Sequence, residues 1–182
     1  MDGRLFFIAL LPDEAIQAEI TRFKLYASRH FNSSRALRSP PHITLFPPFS
    51  WPEETLPRLE DSLSAFAAGE KGFSQALRHF DCFRPRVVFV DVVRNDALWG
   101  LQARLELRLR AELGLEQKNA HPFHPHVTVA FKDLKRQAFE GAWAYFSAIE
   151  YERQFEATEI CLLEHDGRQW QVSGKYALGP LS

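Results

Sequence analysis

Cysteine is scarce in this sequence, with Cys82 and Cys161 as its two examples. Both lie in apolar, strand-like runs and form no Cys-x-x-Cys pattern, so they cannot build a structural zinc site by themselves. No apolar run approaches the roughly 20 residues that a membrane helix needs, and the apolar stretch at residues 5–11 has no cleavage site after it. We therefore expect buried, reduced thiols in a soluble cytoplasmic protein.

An excess of charge of either sign is also missing, since 22 Lys and Arg residues stand against 23 Asp and Glu residues. Without a basic field the chain is not suited to hold a long nucleic-acid duplex through its phosphates. A nucleic-acid partner would have to be bound at one end or one linkage. The nine glycines are scattered, so neither a glycine-rich phosphate loop nor a nucleophile elbow is present.

What is present is an order of predicted elements that occurs twice. Each half reads strand, helix, strand, helix, strand, and residue identity between the halves is low. In the first half the predicted strands and first helix span residues 5–11, 13–29, 42–47 and 73–83, and the second helix follows a cap at residue 50 and ends near residue 69. In the second half they span residues 86–93, 98–114, 124–131, 133–148 and a strand through 155, followed by a hairpin of 160–165 and 168–177. The 182 residues fit one domain with halves of about 1–84 and 85–182, interleaved and related by a pseudo-twofold axis.

Local signals set several of these boundaries. Pro47 and Pro48 should stop the second strand, and Ser50 with Glu53 forms a capping-box pattern for the helix that follows. Asp133 is a candidate N-cap for the fourth helix. The dipeptide Asp166-Gly167 is typical of a two-residue hairpin turn.

The chemistry-bearing pattern is a His-x-Thr sequence in the third element of each half. The motifs are His42 with Thr44 and His126 with Thr128. Residues two apart share one face of a strand, so the imidazole and hydroxyl point one way while the residue between them points to the core. Two such faces at matching places in a repeat indicate a shared groove.

Two imidazoles facing one groove suit the cleavage of a phosphodiester. One can accept the proton of the attacking oxygen while the other donates a proton to the leaving oxygen, because both titrate near neutrality. A threonine hydroxyl beside each can donate to a non-bridging phosphate oxygen. This chemistry needs no cofactor, and the pattern does not tell the acid from the base.

These motifs resemble those of the 2H phosphoesterase superfamily, which includes 2′-5′ RNA ligase-like proteins and RNA 2′,3′-cyclic phosphodiesterases. The segments that carry the resemblance are Pro41-His42-Ile43-Thr44-Leu45 and Phe123-His124-Pro125-His126-Val127-Thr128-Val129-Ala130. The resemblance implies a bilobal α+β fold with two antiparallel sheets lining an active-site cleft. It also implies His42 and His126 as the acid/base pair, with Thr44 and Thr128 as phosphate ligands. The implied substrate is a nucleotide or RNA terminus with a cyclic or 2′-linked phosphate.

Three further residues are candidates for substrate binding. Arg38 precedes the first motif, in the sequence Arg38-Ser39-Pro40-Pro41, where many RNA-directed members have a Pro-Glu-Asn-Leu-type segment. Lys132 shares strand parity with His126 and could replace the arginine that those members often carry after the second motif. Phe46 shares parity with Thr44 and is the best candidate for stacking on a base.

Two other functions stay open at this level. The cleft could belong to a non-catalytic module that binds a nucleotide for regulation. Alternatively His121, His124 and His126 could hold a metal for a metal-dependent hydrolase, although a metal would take the lone pair that acid/base catalysis needs. A monomer is the default expectation.

Overall fold

Two antiparallel sheets form the centre of the molecule in a computed structural model that describes residues 3–117 and 121–181. The sheet here called sheet I has the strand order β2-β1-β7-β8, and sheet II has the order β5-β4-β3-β6. A short strand, β9, pairs in parallel with the start of β3. The strands are β1 Arg4–Leu10, β2 Ile43–Trp51, β3 Lys71–Phe83, β4 Val87–Val92, β5 His126–Ala130, β6 Glu152–Ala157, β7 Glu159–His165, β8 Trp170–Ala177 and β9 Gly179–Leu181.

Four α-helices pack against these sheets, which confirms the α+β class expected from the sequence. They are α1 Glu14–Phe31, α2 Leu56–Gly69, α3 Asp96–Leu113 and α4 Arg136–Ser147. α1 begins where its sequence allows a cap, because Asp13 Oδ1 accepts the Ile16 N–H at 3.0 Å. α3 ends at Gly114, which adopts the left-handed conformation (φ 66°) that glycine takes without strain. Among the described residues, no helix is both long and apolar enough to cross a membrane.

Strands and helices from the two ends of the chain are mixed in each layer. Sheet I joins β1 and β2 to β7 and β8, while sheet II takes β3 from the first half of the chain. The helices also cross over, since α1 contacts β5 of sheet II and α3 contacts β2 of sheet I. A single large cluster of buried apolar side chains therefore includes residues of both sheets and all four helices.

The prediction that Pro47 and Pro48 end the second strand is wrong. β2 continues to Trp51, and Phe49 and Ser50 pair with Phe6 and Leu5 of β1. β2 lies at the edge of sheet I, where a proline's missing N–H need not serve a second neighbour. Because Ser50 pairs with Leu5 in the sheet, it does not cap the helix that follows, contrary to the prediction from the sequence.

The expected caps of α2 and α4 are likewise wrong. α2 follows a single 3₁₀ turn at Glu53–Thr55, and no side chain caps it. α4 begins only at Arg136, and Asp133 instead accepts hydrogen bonds from the backbone of Ser34 and Arg35 in the first half of the chain. The β7–β8 connection is also longer than predicted, because the strands end at His165 and restart at Trp170.

Candidate active site

The two motif strands occupy matching positions at the edges of the two sheets. β2 is the outermost strand of sheet I and β5 the outermost strand of sheet II, and the two strands contact each other. His42 directly precedes β2, and His126 is the first residue of β5. This places one His-x-Thr motif on each side of a shared cleft.

Each imidazole is held by the same local hydrogen bond. His42 Nδ1 lies 2.7 Å from the Pro40 carbonyl oxygen, and His126 Nδ1 lies 2.7 Å from the His124 carbonyl oxygen. A carbonyl can only accept, so Nδ1 carries the proton in both rings. The other ring nitrogen, Nε2, is then the atom that can accept or donate a proton for a ligand.

Both motifs line one cavity of about 450 Å³. Its walls combine the two histidines and two threonines with aromatic rings and one cation. The lining includes His42, Thr44, His126, Thr128, Lys132, Phe7, Phe83, Phe131 and Trp170. We call this space the central cavity.

Aromatic rings pack against both imidazoles. The Phe7 ring lies 4.7 Å from the His42 ring, and Trp170 packs edge-on against Phe7 at 4.7 Å. On the other side, Phe83 and Phe89 lie 5.2 and 5.0 Å from the His126 ring. Fixed rings and fixed Nδ1 atoms leave each imidazole little freedom to rotate.

A β-bulge follows the threonine in each motif strand. Successive β1 residues Ile8 and Ala9 pair with Phe46 and Thr44, so β2 contains one extra residue there. In sheet II the successive residues Val88 and Phe89 pair with Ala130 and Thr128 in the same way. Because a bulge shifts the alternation of side chains by one residue, strand parity cannot be extended past either threonine.

The bulge overturns the prediction for Phe46. This side chain is 2% exposed and belongs to the core, where its ring packs edge-on against Phe49 at 5.5 Å. Both Leu45 and Phe46 are buried, as expected when one strand residue is inserted. Phe46 therefore has no free face on which a base could stack.

Lys132 lies at the central cavity for a different reason from the one its sequence position suggests. β5 ends at Ala130, and Lys132 has a left-handed backbone (φ 58°), so strand alternation does not apply to it. The turn at Phe131 and Lys132 nevertheless brings both residues to the cavity wall. Lys132 is exposed there.

The surroundings of the two histidines differ in charge. Burial, together with the charges of Lys24 and His126, lowers the pKa of His42 to about 4, against the opposing effect of its bond to Pro40. Burial also lowers the pKa of His126, but there the bond to His124 and the nearby Asp91 carboxylate act to raise it. A carboxylate thus acts on His126, whereas the side-chain charges that act on His42 are those of Lys24 and His126.

Two smaller depressions adjoin the central cavity. One, of about 340 Å³, shares Thr44 and His126 with it and extends to His121 and His124. The other, of about 210 Å³, contains Arg38. Arg38 thus borders the central cavity without lining it.

The described residues do not form the metal site considered for His121, His124 and His126. In the segments 3–117 and 121–181, no three His, Cys, Asp or Glu side chains are grouped closely enough to hold a metal ion. The His124 and His126 rings are 6.3 Å apart, and His126 Nδ1 is already bonded to a carbonyl.

Several residues at or near the site were not expected from the sequence. Phe7 and Trp170 come from sheet I strands that carry no motif, and Asp91 lies opposite His126 in sheet II. Of the residues named here, Lys24 is the one that the sequence pattern could have indicated. It occupies the buried stripe of α1 at four-residue spacing from Ile20, where a lysine is out of place.

Comparisons with known proteins agree with this fold. A model of the 2′-5′ RNA ligase superfamily matches residues 12–169. A protein of Oceanobacillus iheyensis with a provisional phosphoesterase name is 26% identical over 179 residues, which cover 94% of this chain and 96% of that protein.

Solved structures share the fold over nearly the whole chain. TT0787 of Thermus thermophilus has a TM-score of 0.68 and 21% identity, covering 96% of this chain and 97% of that one. LigT of E. coli, complexed with 3′-AMP, has a TM-score of 0.66 and 22% identity, covering 98% of this chain and 99% of that one.

Proposed function

Since the chain belongs to the 2′-5′ RNA ligase superfamily, a group of 2H phosphoesterases, we propose that it hydrolyses a cyclic phosphate or a 2′-linked phosphodiester of a nucleotide or RNA end. The observation that carries this proposal is the pair of imidazoles, each fixed through Nδ1, that line one cavity. A cavity of about 450 Å³ is within the range of small-molecule sites.

The proposed reaction is an in-line displacement at phosphorus. One neutral histidine accepts at Nε2 the proton of the attacking water, and the other donates its Nε2 proton to the ribose oxygen that leaves. The P–O bond to water forms as the P–O bond to ribose breaks, so one proton enters and one leaves the histidine pair. Attack by a ribose hydroxyl instead of water would give the ligase direction.

Thr44 and Thr128 are proposed to bind the phosphate. Each hydroxyl can donate to a non-bridging oxygen, and Lys132 at the rim can offset the negative charge. Because the imidazoles supply both proton transfers, this mechanism assigns no step to a metal or other cofactor.

The proposed substrate class is a nucleotide or an RNA terminus. LigT, which shares the fold, has been crystallised with 3′-AMP, phosphate, ATP and NADP⁺. The balanced charge of this chain also favours a small ligand or a chain end over a long duplex. Trp170 and Phe83 offer aromatic surface for a base in place of the buried Phe46.

A substrate panel assayed with EDTA present tests the proposal. It comprises 2′,3′-cyclic nucleotides, RNA ending in a cyclic phosphate, 2′-5′ oligoadenylates and ADP-ribose cyclic phosphate. We expect turnover of at least one, and replacement of His42 or His126 by Gln should lower kcat by about 10²–10⁴-fold.

The matched control is His30→Gln, because His30 is an exposed histidine in the last turn of α1. It should keep wild-type activity. Undiminished turnover by both His42→Gln and His126→Gln would refute the mechanism. Nucleotide binding measured by calorimetry, without turnover of any substrate, would identify the non-catalytic binding module instead.

A further inference from the structure

A small depression beside the central cavity contains two cations and no carboxylate. Its volume is about 210 Å³, and its lining is Thr21, Lys24, Leu37, Arg38, Ser39, Pro40, Gln169 and Trp170. Ser39 and Trp170 border the central cavity as well, so the two spaces are adjacent. We call this space the Lys24 depression.

Lys24 is the unusual member of this group. Its side chain is 2% exposed, and its Nζ donates to the Ser39 carbonyl oxygen at 3.0 Å. Within the described part of the chain, no carboxylate lies within ion-pair distance of Lys24 or of Arg38, whereas the partly buried Arg4 and Arg108 are paired. A buried ammonium without an anion is costly, and burial lowers the pKa of Lys24 to about 7.

The hydrogen bond from Lys24 to the Ser39 carbonyl does not by itself account for the donors around the Lys24 depression. The bond to Ser39 uses one of the three N–H groups of the ammonium. Arg38, Thr21 and Gln169 add further hydrogen-bond donors around the same space. Converging donors of positive or neutral character, with no acidic side chain, are the features of a site for an anion.

We propose that the Lys24 depression binds a second phosphate of the substrate, next to the phosphate held between the histidines. The inference rests on the proposed function and extends it by defining the substrate class. In a nucleoside 2′,3′-cyclic phosphate, the second phosphate is the group on the 5′ oxygen. That group is either a terminal 5′-phosphate of a small nucleotide or the internucleotide phosphodiester of an RNA end.

Three substrates that differ only at the 5′ oxygen provide the test. They are adenosine 2′,3′-cyclic phosphate, its 5′-phosphorylated form, and the dinucleotide ApA ending in a 2′,3′-cyclic phosphate. We expect wild-type kcat/KM to be higher by about 10- to 100-fold when the second phosphate is present, as for a charge-assisted contact. Preference for the dinucleotide identifies an RNA end as the source, and preference for the 5′-phosphate identifies a small nucleotide.

Lys24→Met and Arg38→Met are the diagnostic variants, with Lys135→Met as the control at an exposed lysine outside both cavities. Each diagnostic variant should reduce the preference toward onefold. The compared quantity is the ratio of kcat/KM values within one variant, because the Lys24 charge also lowers the pKa of His42 and its loss affects all three substrates alike. A preference that keeps its wild-type value in both variants, whatever the common loss of activity, would overturn the proposal.

Binding measurements keep this test separate from the test of catalysis. Calorimetry compares adenosine 2′-phosphate with adenosine 2′,5′-bisphosphate on wild type and on each variant. Tighter binding of the bisphosphate, lost in the variants, supports the subsite even if no substrate is turned over. Equal affinity for the two ligands in wild type overturns it. Arg38 is not buried, so its variant is available even if Lys24→Met fails to fold.

Discussion

At the scale of single residues, the central feature is the bond from each histidine Nδ1 to the carbonyl two residues earlier. In both motifs that distance is 2.7 Å, and in both the residue before the histidine is a proline, Pro41 or Pro125. A proline restricts the backbone of the residue before it to extended conformations. The short sequence around each motif thus orients its own catalytic candidate.

The unequal electrostatics of the two rings lead to a prediction for their titration. In histidine NMR spectra of the free protein we expect His42 to stay neutral until about pH 4, and His126 to titrate below the ordinary range of histidine. Lys24→Met should raise the pKa of His42, because the Lys24 charge contributes to lowering it. The spectrum of His42→Gln assigns the resonance. A titration of His42 at its ordinary value would contradict this description of the site.

The sign of the accompanying stability effect follows from linkage. Unfolded histidine binds a proton near pH 6.5, whereas folded His42 does so only near pH 4. Between these values the unfolded chain holds more protons, so this residue makes the free energy of unfolding decrease as the pH falls. In His42→Gln that part of the acid destabilisation should be absent.

At the scale of elements, Asp133 connects the segment after the second motif to the segment before the first. Its carboxylate accepts from Ser33 Oγ at 2.9 Å, Ser34 N at 2.8 Å and Arg35 N at 2.9 Å. Burial alone would raise the pKa of Asp133, but these hydrogen bonds bring it below its ordinary value. The carboxylate thereby satisfies the start of the 3₁₀ turn Arg35–Arg38, which leads into His42.

We predict that Asp133→Ala lowers the free energy of unfolding by about 1–3 kcal/mol, since the buried Ser33 hydroxyl and the first N–H groups of the 3₁₀ turn lose their acceptor. Activity should fall as well, because the turn before His42 loses its anchor. Urea denaturation measures the first effect and kcat the second. Asp166→Ala is the control, as Asp166 makes similar local bonds in the exposed β7–β8 turn. An unchanged stability of Asp133→Ala would remove Asp133 from this role.

At the scale of the whole molecule, both sheets and the helices around them combine segments from the two ends of the chain. β3 pairs with β4 and β6, and β7 pairs with β1. These pairings are consistent with the two interleaved halves, about 1–84 and 85–182, that the order of elements predicts, and we propose that the halves act as one folding unit.

Such a molecule should unfold in a single cooperative transition. Each sheet contains strands from both halves, so the unfolding of one half disrupts both sheets. The denaturation curves from far-UV circular dichroism and from tryptophan fluorescence should therefore coincide. The tryptophans report on both halves, because Trp51 lies in β2 and Trp143 in α4. Two separated transitions would show that the halves are independent.

The sequence by itself determined the order of the main predicted elements and the two His-x-Thr motifs, because side-chain alternation and helical spacing are local properties of the chain. The tertiary structure alone decided that Phe46 is buried and that Lys24, Trp170 and Phe7 border the site. A bulge depends on the pairing of two strands distant in sequence, and the helical spacing that marks Lys24 as buried does not show which site its ammonium group borders. Local pattern thus specifies which groups a strand presents, whereas packing between distant segments specifies what those groups face.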